Sequence, residues 1–142
     1  MIGFIDYTLL DEQVSDENLR RFCEKARIYL PATVCVFPAK IQNVRDILGY
    51  EIPITAVVGG FPIGSHDNEE IRRDLLSAID LGADEIDIVI EPRESEDYPN
   101  EIELEKLVMI REVSNGKVLK VIIETPLPVS YTHLTLPTTG VV

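Results

Sequence analysis

Apolar side chains along this chain repeat with two periods, and the two periods take turns. Stretches of strict alternation, which mark strands, are each followed by stretches with apolar residues three and four apart, which mark helices. Residues 2–10 predict a first strand, with Phe4, Asp6 and Thr8 on one face and Ile5, Tyr7 and Leu9 on the other. Ser15 then predicts a helix N-cap. Asp16 and Glu17 suit the positive helix end, Val14 and Leu19 are placed as a hydrophobic staple, and Leu19, Phe22, Cys23, Ala26 and Leu30 form the apolar stripe up to Pro31. Residues 32–37 predict a second strand. Pro38 opens a second helix, carried by Ile41, Val44 and Leu48 and closed at Gly49. Residues 53–58 predict a third strand running into the loop Gly59-Gly60-Phe61-Pro62-Ile63-Gly64, which glycine and proline keep irregular. Asn68 is expected to cap a third helix with the stripe Ile71, Leu75, Ala78 and Ile79, ended by Gly82. A fourth strand lies within residues 82–91. A charged connection, residues 92–100, leads to a fourth helix over residues 101–113 with Leu104, Leu107, Val108 and Ile110 apolar, and residues 117–124 give a fifth strand.

A strand–helix repeat of this kind makes a parallel sheet with right-handed crossovers. An open doubly wound sheet and a βα barrel both fit the order, and the polar positions favour the barrel. In the fourth strand Ile86, Ile88 and Ile90 share one face, with Glu85, Asp87, Val89 and Glu91 on the other. Asp6, Thr8, Thr33, Cys35, Thr55, Asp87 and Lys120 can all take the same side of successive strands. Doubly wound strands, covered by helices on both faces, are near-continuously apolar. A face of polar residues instead fits a barrel interior that opens into a site.

Composition narrows the function. The chain has 142 residues, enough for one domain, and a formal net charge of −12, which excludes a broad nucleic-acid surface. No apolar run approaches a membrane span of roughly 20 residues. The N-terminal residues lack the basic region of a signal peptide. Cys23 and Cys35 have no metal-like spacing and are expected reduced, in a cytoplasmic protein. The pattern stops after Thr125, where the chain carries no Asp, Glu, Lys or Arg. An eight-stranded barrel takes about 250 residues. We therefore expect residues 1–125 to be a partial βα barrel, residues 126–142 to be a disordered tail foreign to it, and the protein to continue further.

Lys120 stands inside an apolar strand, where desolvation would lower its pKa and prepare it as an imine-forming or basic amine. It also fits an interior lysine neutralised by Asp87 or Glu124. Asp87 can relay a proton or hold Lys120 charged. Asp6 and Thr8 can bind a substrate hydroxyl or simply end a strand, and Cys35 can line a pocket or act as a small hydrophobe. The Gly59–Gly64 loop lacks the Gly-Lys-Ser/Thr of a phosphate loop and reads as a tight turn. His66 and His133 are isolated, and no metal-ligand set is present in the sequence pattern.

Five stretches together resemble the deoxyribose-phosphate aldolases: IDYTLL (5–10), ATVCVFP (32–38), GFPIG (60–64), GADEIDIVI (82–90) and LKVIIET (119–125). They stand in that family's order over residues 2–125. The resemblance implies an α/β fold of the TIM (βα)8-barrel family, here incomplete, with about five parallel strands and four helices. It implies a class I aldolase of deoxyribonucleotide catabolism that cleaves 2-deoxy-D-ribose 5-phosphate to D-glyceraldehyde 3-phosphate and acetaldehyde, with no metal or cofactor. Asp87 resembles the proton-relay aspartate. Lys120 resembles the active-site lysine beside the Schiff-base residue, and Asp6, Thr8 and Cys35 resemble substrate-binding positions. The implied partner is a small phosphorylated sugar, with no nucleic acid or membrane, and the full-length protein is implied to be a homo-oligomer.

The family's Schiff-base lysine lies on a sixth strand, in a segment like VKTSTGF, with a second relay lysine and the phosphate loops later still. None occurs in this sequence. Without the imine there is no electron sink, so the chain alone is expected to be inactive. Its open first and fifth strands make it poorly soluble by the same reading. Two other readings stand beside this one: an imine-forming βα-barrel aldolase using Lys120 itself, and a non-catalytic half-barrel that assembles with a partner.

Overall fold

Five parallel strands and four α-helices account for most of the residues described by the computed structural model, residues 3–89 and 101–122. The strands are β1 (Asp6–Leu9), β2 (Thr33–Val36), β3 (Ile54–Val58), β4 (Glu85–Val89) and β5 (Val118–Ile122). The helices are α1 (Asp16–Tyr29), α2 (Ile41–Leu48), α3 (Asn68–Asp80) and α4 (Glu101–Ser114), with a 3-10 turn at Pro38–Lys40 leading into α2. Each predicted strand and helix has a counterpart among the described residues. Ile90, Glu91, the connection 92–100, Glu124, His133 and the tail lie outside the described residues.

The strand order is β1-β2-β3-β4-β5, with every pairing parallel. A doubly wound sheet reverses its order once, which sends later helices to the opposite face. This sheet has no reversal, so right-handed crossovers carry every helix to one face. The core lies there as one cluster. Val34, Val36, Ile54, Ala56, Val58, Ile86 and Ile88 from the strands meet Phe22, Cys23 and Ala26 of α1, Val44 and Leu48 of α2, Ile71 and Leu75 of α3, and Ile110 of α4. The other strand face carries the polar set. The winding is that of a βα barrel.

Three local expectations are corrected. Leu30 does not continue the α1 stripe. It is exposed in the left-handed region (φ 49°), where it caps α1, and the following Pro31 disfavours helical backbone at this position. The cap of α3 is Asp67 rather than Asn68: its carboxylate accepts from the Glu69 and Glu70 amides, satisfying two of the helix's unpaired donors. In α4 the predicted stripe is mostly turned outward. Leu104 and Val108 are exposed and Ile110 alone is fully buried, while Glu103, Lys106 and Ser114 face inward. The inward face follows the spacing 103, 106, 110, 114, and Lys106 Nζ donates to the Ser65 carbonyl at 3.1 Å, in the loop before α3. The buried positions of this helix are mostly polar, so a reading that counts apolar residues alone chooses the wrong face. No helix among the described residues is long and apolar enough to cross a membrane.

The amino-end rim is held by Arg45 of α2. Its guanidinium donates to the carbonyls of Gly49 and Gly82 (each 3.0 Å) and to Asp84 Oδ2 (2.8 Å), and lies over the Tyr50 ring. Asp84 Oδ2 also accepts from the buried Ile54 amide at 2.8 Å. One carboxylate therefore ties the starts of β3 and β4 to α2. Asp84→Ala strands both donors, and we expect it to cost about 1–3 kcal/mol, read as a lower urea midpoint with an unchanged m-value.

Candidate active site

The polar face is built by register. Asp6 of β1 pairs with Thr33 of β2, and Thr8 with Cys35. Cys35 pairs with Thr55 of β3, Thr55 with Glu85 of β4, and Asp87 of β4 with Lys120 of β5. Alternation along each strand leaves these side chains on the face opposite the helices. Each strand has two environments to satisfy, and its branched apolar residues take the other one.

The side chains close into a network centred on the Lys120 ammonium. It hydrogen-bonds Asp6 Oδ2 and lies 3.1 Å from Glu85 Oε2, 3.2 Å from Asp87 Oδ1 and 3.4 Å from the Thr55 hydroxyl. Thr55 donates to Thr33 at 2.8 Å, and Thr33 donates to Asp6 Oδ1 at 3.0 Å, so both Asp6 oxygens are engaged. The Cys35 thiol donates to Asp87 Oδ2 at 3.8 Å. Asp87 Oδ1 is buried, with only the ion pair and no hydrogen bond.

Electrostatics assign the charges. Burial works to lower the Lys120 pKa, but the hydrogen bond to Asp6 and the charges of Asp87 and Glu85 outweigh it and hold the ammonium well above its ordinary range. Of the two readings of Lys120, the lowered amine is not found and the interior lysine paired with Asp87 is, with Asp6 and Glu85 joining the pair. Burial pushes Asp87 above the usual carboxylate range, more than Lys120 draws it down, with Asp6 adding to the rise. Burial raises the Cys35 thiol to about 12, helped by the Asp87 charge. Such a thiol stays protonated and serves as a hydrogen-bond donor.

All five sequence-predicted site residues therefore lie on one face. Asp6, Asp87, Cys35 and Lys120 are joined directly. Thr8 is exposed and turns to the Asp6 carbonyl on its own strand (3.3 Å). Glu85 was not singled out, although it shares the Asp87 face by simple alternation, and neither Thr33 nor Thr55 was given a part. A cavity of about 370 Å³ opens at the carboxyl ends of β2 and β3, lined by Phe37, Lys40, Val57, Gly59 and Phe61 among others. This is the rim where βα barrels hold their sites. Gly59 is required here: it has φ 86°, and a Cβ would stand 3.1 Å from the Ile88 side chain. The Ile63 and Gly64 amides both bond back to the Gly60 carbonyl, as a tight turn requires.

Sequential parallel strands, helices on one face and an acid–amine cluster on the other define an incomplete TIM-barrel-type α/β protein with a candidate active site. More particularly, the chain is homologous to deoxyribose-phosphate aldolases over 86 % of its length. It is 36 % identical over 123 residues to the enzyme of Ureaplasma parvum, covering 57 % of that protein. It is 37 % identical over 126 residues to that of Mycoplasma mobile, covering 58 %. Among solved structures it matches QR15, an aldolase, with a TM-score of 0.77 and 26 % identity over 87 % of this chain and 55 % of that one. The fold also matches the tetrameric deoxyribose phosphate aldolase of Aeropyrum pernix, with a TM-score of 0.65 and 23 % identity over 84 % of this chain and 50 % of that one. The chain spans about half the length of the curated relatives it matches. No protein-family profile matches it.

Two stability outcomes follow from the cluster. The raised Asp87 pKa means the native state binds that proton more tightly than the unfolded chain. Its contribution is favourable at low pH and is lost as pH rises from about 4 through the folded value. Asp87→Asn is therefore expected to raise the thermal midpoint at neutral pH, with the gain vanishing below about pH 4. Lys120, held above its ordinary pKa, lends stability that is fully present below about pH 10.4. Lys120→Met leaves three facing carboxylates and is expected to lose on the order of 2 kcal/mol at pH 7, below the figure for a fully buried pair. Urea unfolding at pH 7 and pH 4 checks this, with a smaller loss expected at the lower pH.

Proposed function

We propose that this chain carries the acid–amine part of a class I aldolase site, in a cytoplasmic protein of deoxyribonucleotide catabolism. The full protein would cleave 2-deoxy-D-ribose 5-phosphate to D-glyceraldehyde 3-phosphate and acetaldehyde. The observation that carries this reading is the Lys120 ammonium held among Asp6, Glu85 and Asp87 on the inward face. Homology to deoxyribose-phosphate aldolases supports reading that cluster as part of an aldolase site.

In this reading the substrate's C1 carbonyl is held as an imine by a lysine outside this sequence. Asp87 takes the C3 hydroxyl proton, the C2–C3 bond breaks, and its electron pair flows toward the imine. The proton is then returned to C2, which releases acetaldehyde after imine hydrolysis. Lys120 remains an ammonium and fixes the carboxylates around it. Asp6, Thr8 and Cys35 shape the pocket and meet substrate hydroxyls. A raised Asp87 pKa suits a group that must both accept and donate near neutral pH. A homo-oligomer is the proposed state of the full-length protein.

An amine held above its ordinary pKa is a poor nucleophile, which weighs against the reading in which Lys120 itself forms the imine. Incubation with acetaldehyde and borohydride, followed by peptide mapping, separates the two. We expect no adduct on Lys120 and no cleavage of deoxyribose 5-phosphate by this chain alone. A longer protein carrying a lysine on a sixth strand is expected to be trapped there and to turn over. A Lys120 adduct, or turnover by the chain alone, would overturn the assignment.

A further inference from the structure

We infer that Lys106 of α4 is a positioning residue for the mouth of the site: it pins the far end of the Gly60–Ser65 turn and so holds the Phe61 ring that walls the cavity at the carboxyl ends of β2 and β3. The geometry stands by itself; its use in shaping a substrate pocket rests on the aldolase reading. Lys106 lies on the buried face of α4 and is only 9 % exposed. Burying an ammonium is unfavourable unless it is hydrogen-bonded. Lys106 Nζ donates to the Ser65 carbonyl at 3.1 Å, so the cation joins α4 to the loop that precedes α3.

The turn it holds moves as one piece. The Ile63 and Gly64 amides bond back to the Gly60 carbonyl at 3.1 and 2.9 Å. Gly60 packs so closely on the end of the turn that a Cβ there would stand 3.2 Å from the Ser65 nitrogen. A shift of Ser65 therefore displaces Gly60, and Phe61 is the next residue. The Phe61 ring meets the Phe37 ring with centroids 6.4 Å apart, and both line the cavity. Ser65 has other bonds: its hydroxyl donates to Glu70 Oε2 and accepts from the Asp67 amide. Those are exposed, where water replaces a lost partner, and they run along the chain into α3. The Lys106 bond is charge-assisted and partly buried, and it arrives from 41 residues away. It is the tie that fixes the turn against a second helix.

The test reads the Phe61 ring directly. The chain has four phenylalanines, Phe4, Phe22, Phe37 and Phe61. Labelling with para-fluorophenylalanine gives each a 19F resonance, assigned by its loss when that residue is replaced by leucine. Lys106→Met keeps the length of the side chain and removes the donor. It is expected to shift or broaden the Phe61 and Phe37 resonances and to leave that of Phe22, which stacks on Tyr7 at the β1 margin, in place. Lys106→Arg keeps charge and donor and is expected to hold all four near their original positions. Circular dichroism establishes that each variant is folded. Should Lys106→Met not fold, Lys106→Gln, which loses the charge and the reach, carries the comparison. A Phe61 resonance that stays put in the folded variant overturns the inference. So does a displacement shared equally by Phe22, which marks general loosening, or a Lys106→Arg spectrum no nearer the original than that of Lys106→Met. The readout needs no turnover, so failure here leaves the aldolase reading standing, and failure of the borohydride assignment leaves this spectrum intact.

Discussion

One ion pair constrains this molecule more than any other contact: the Lys120 ammonium on β5 reaches the Asp6 carboxylate on β1, 114 residues earlier in the chain. Those strands stand at opposite margins of the described sheet, with β2, β3 and β4 between them. Four steps of about 4.8 Å would part them by roughly 19 Å in a flat sheet. A lysine and an aspartate side chain together do not span that gap. The sheet must therefore curl, and it curls with the polar face inside. The curvature that makes a barrel and the chemistry that makes a site are the same fact seen from two sides.

The cluster is poorly chosen for stability. Three carboxylates share one ammonium on a half-buried face, and burial pushes Asp87 toward its neutral form. Taking charge out of water costs more than a single pair usually returns. The rest of the architecture offsets this. Ile86 and Ile88 are fully buried on the reverse of the strand that carries Glu85 and Asp87, and Arg45 ties the opposite rim through Asp84 and two carbonyls. Rigid apolar packing on one side lets the other side hold an unfavourable arrangement of charge in place. Perturbed groups collected in this way are a mark of functional sites.

Most of the architecture was legible in the chain because it depends on local periods. Branched apolar residues at every second position of β4 fix its faces whatever the neighbours do. Ser15 caps α1 through its own side chain, and Gly49 and Gly82 take positive φ where helices must end. Reading failed where two local signals competed. In α4 Leu104 and Val108 are exposed, while the buried face carries Glu103, Lys106, Ile110 and Ser114, a pattern apolar spacing alone cannot show. At α3 both Asp67 and Asn68 were able to cap, and the helix begins at the residue whose carboxylate reaches two amides at once.

The sequence by itself determined the strand–helix alternation, the polar face running through five strands and the candidates Asp6, Thr8, Cys35, Asp87 and Lys120, because each is written in short-range spacing. Only the tertiary structure decided that the sheet curls enough to bring β1 to β5 and that Glu85 and the two threonines join the cluster. It decided, too, that Lys120 is held as a firm cation rather than a free amine. Those outcomes depend on how many carboxylates arrive around one nitrogen from strands far apart in the chain, and no spacing along a single strand can count them.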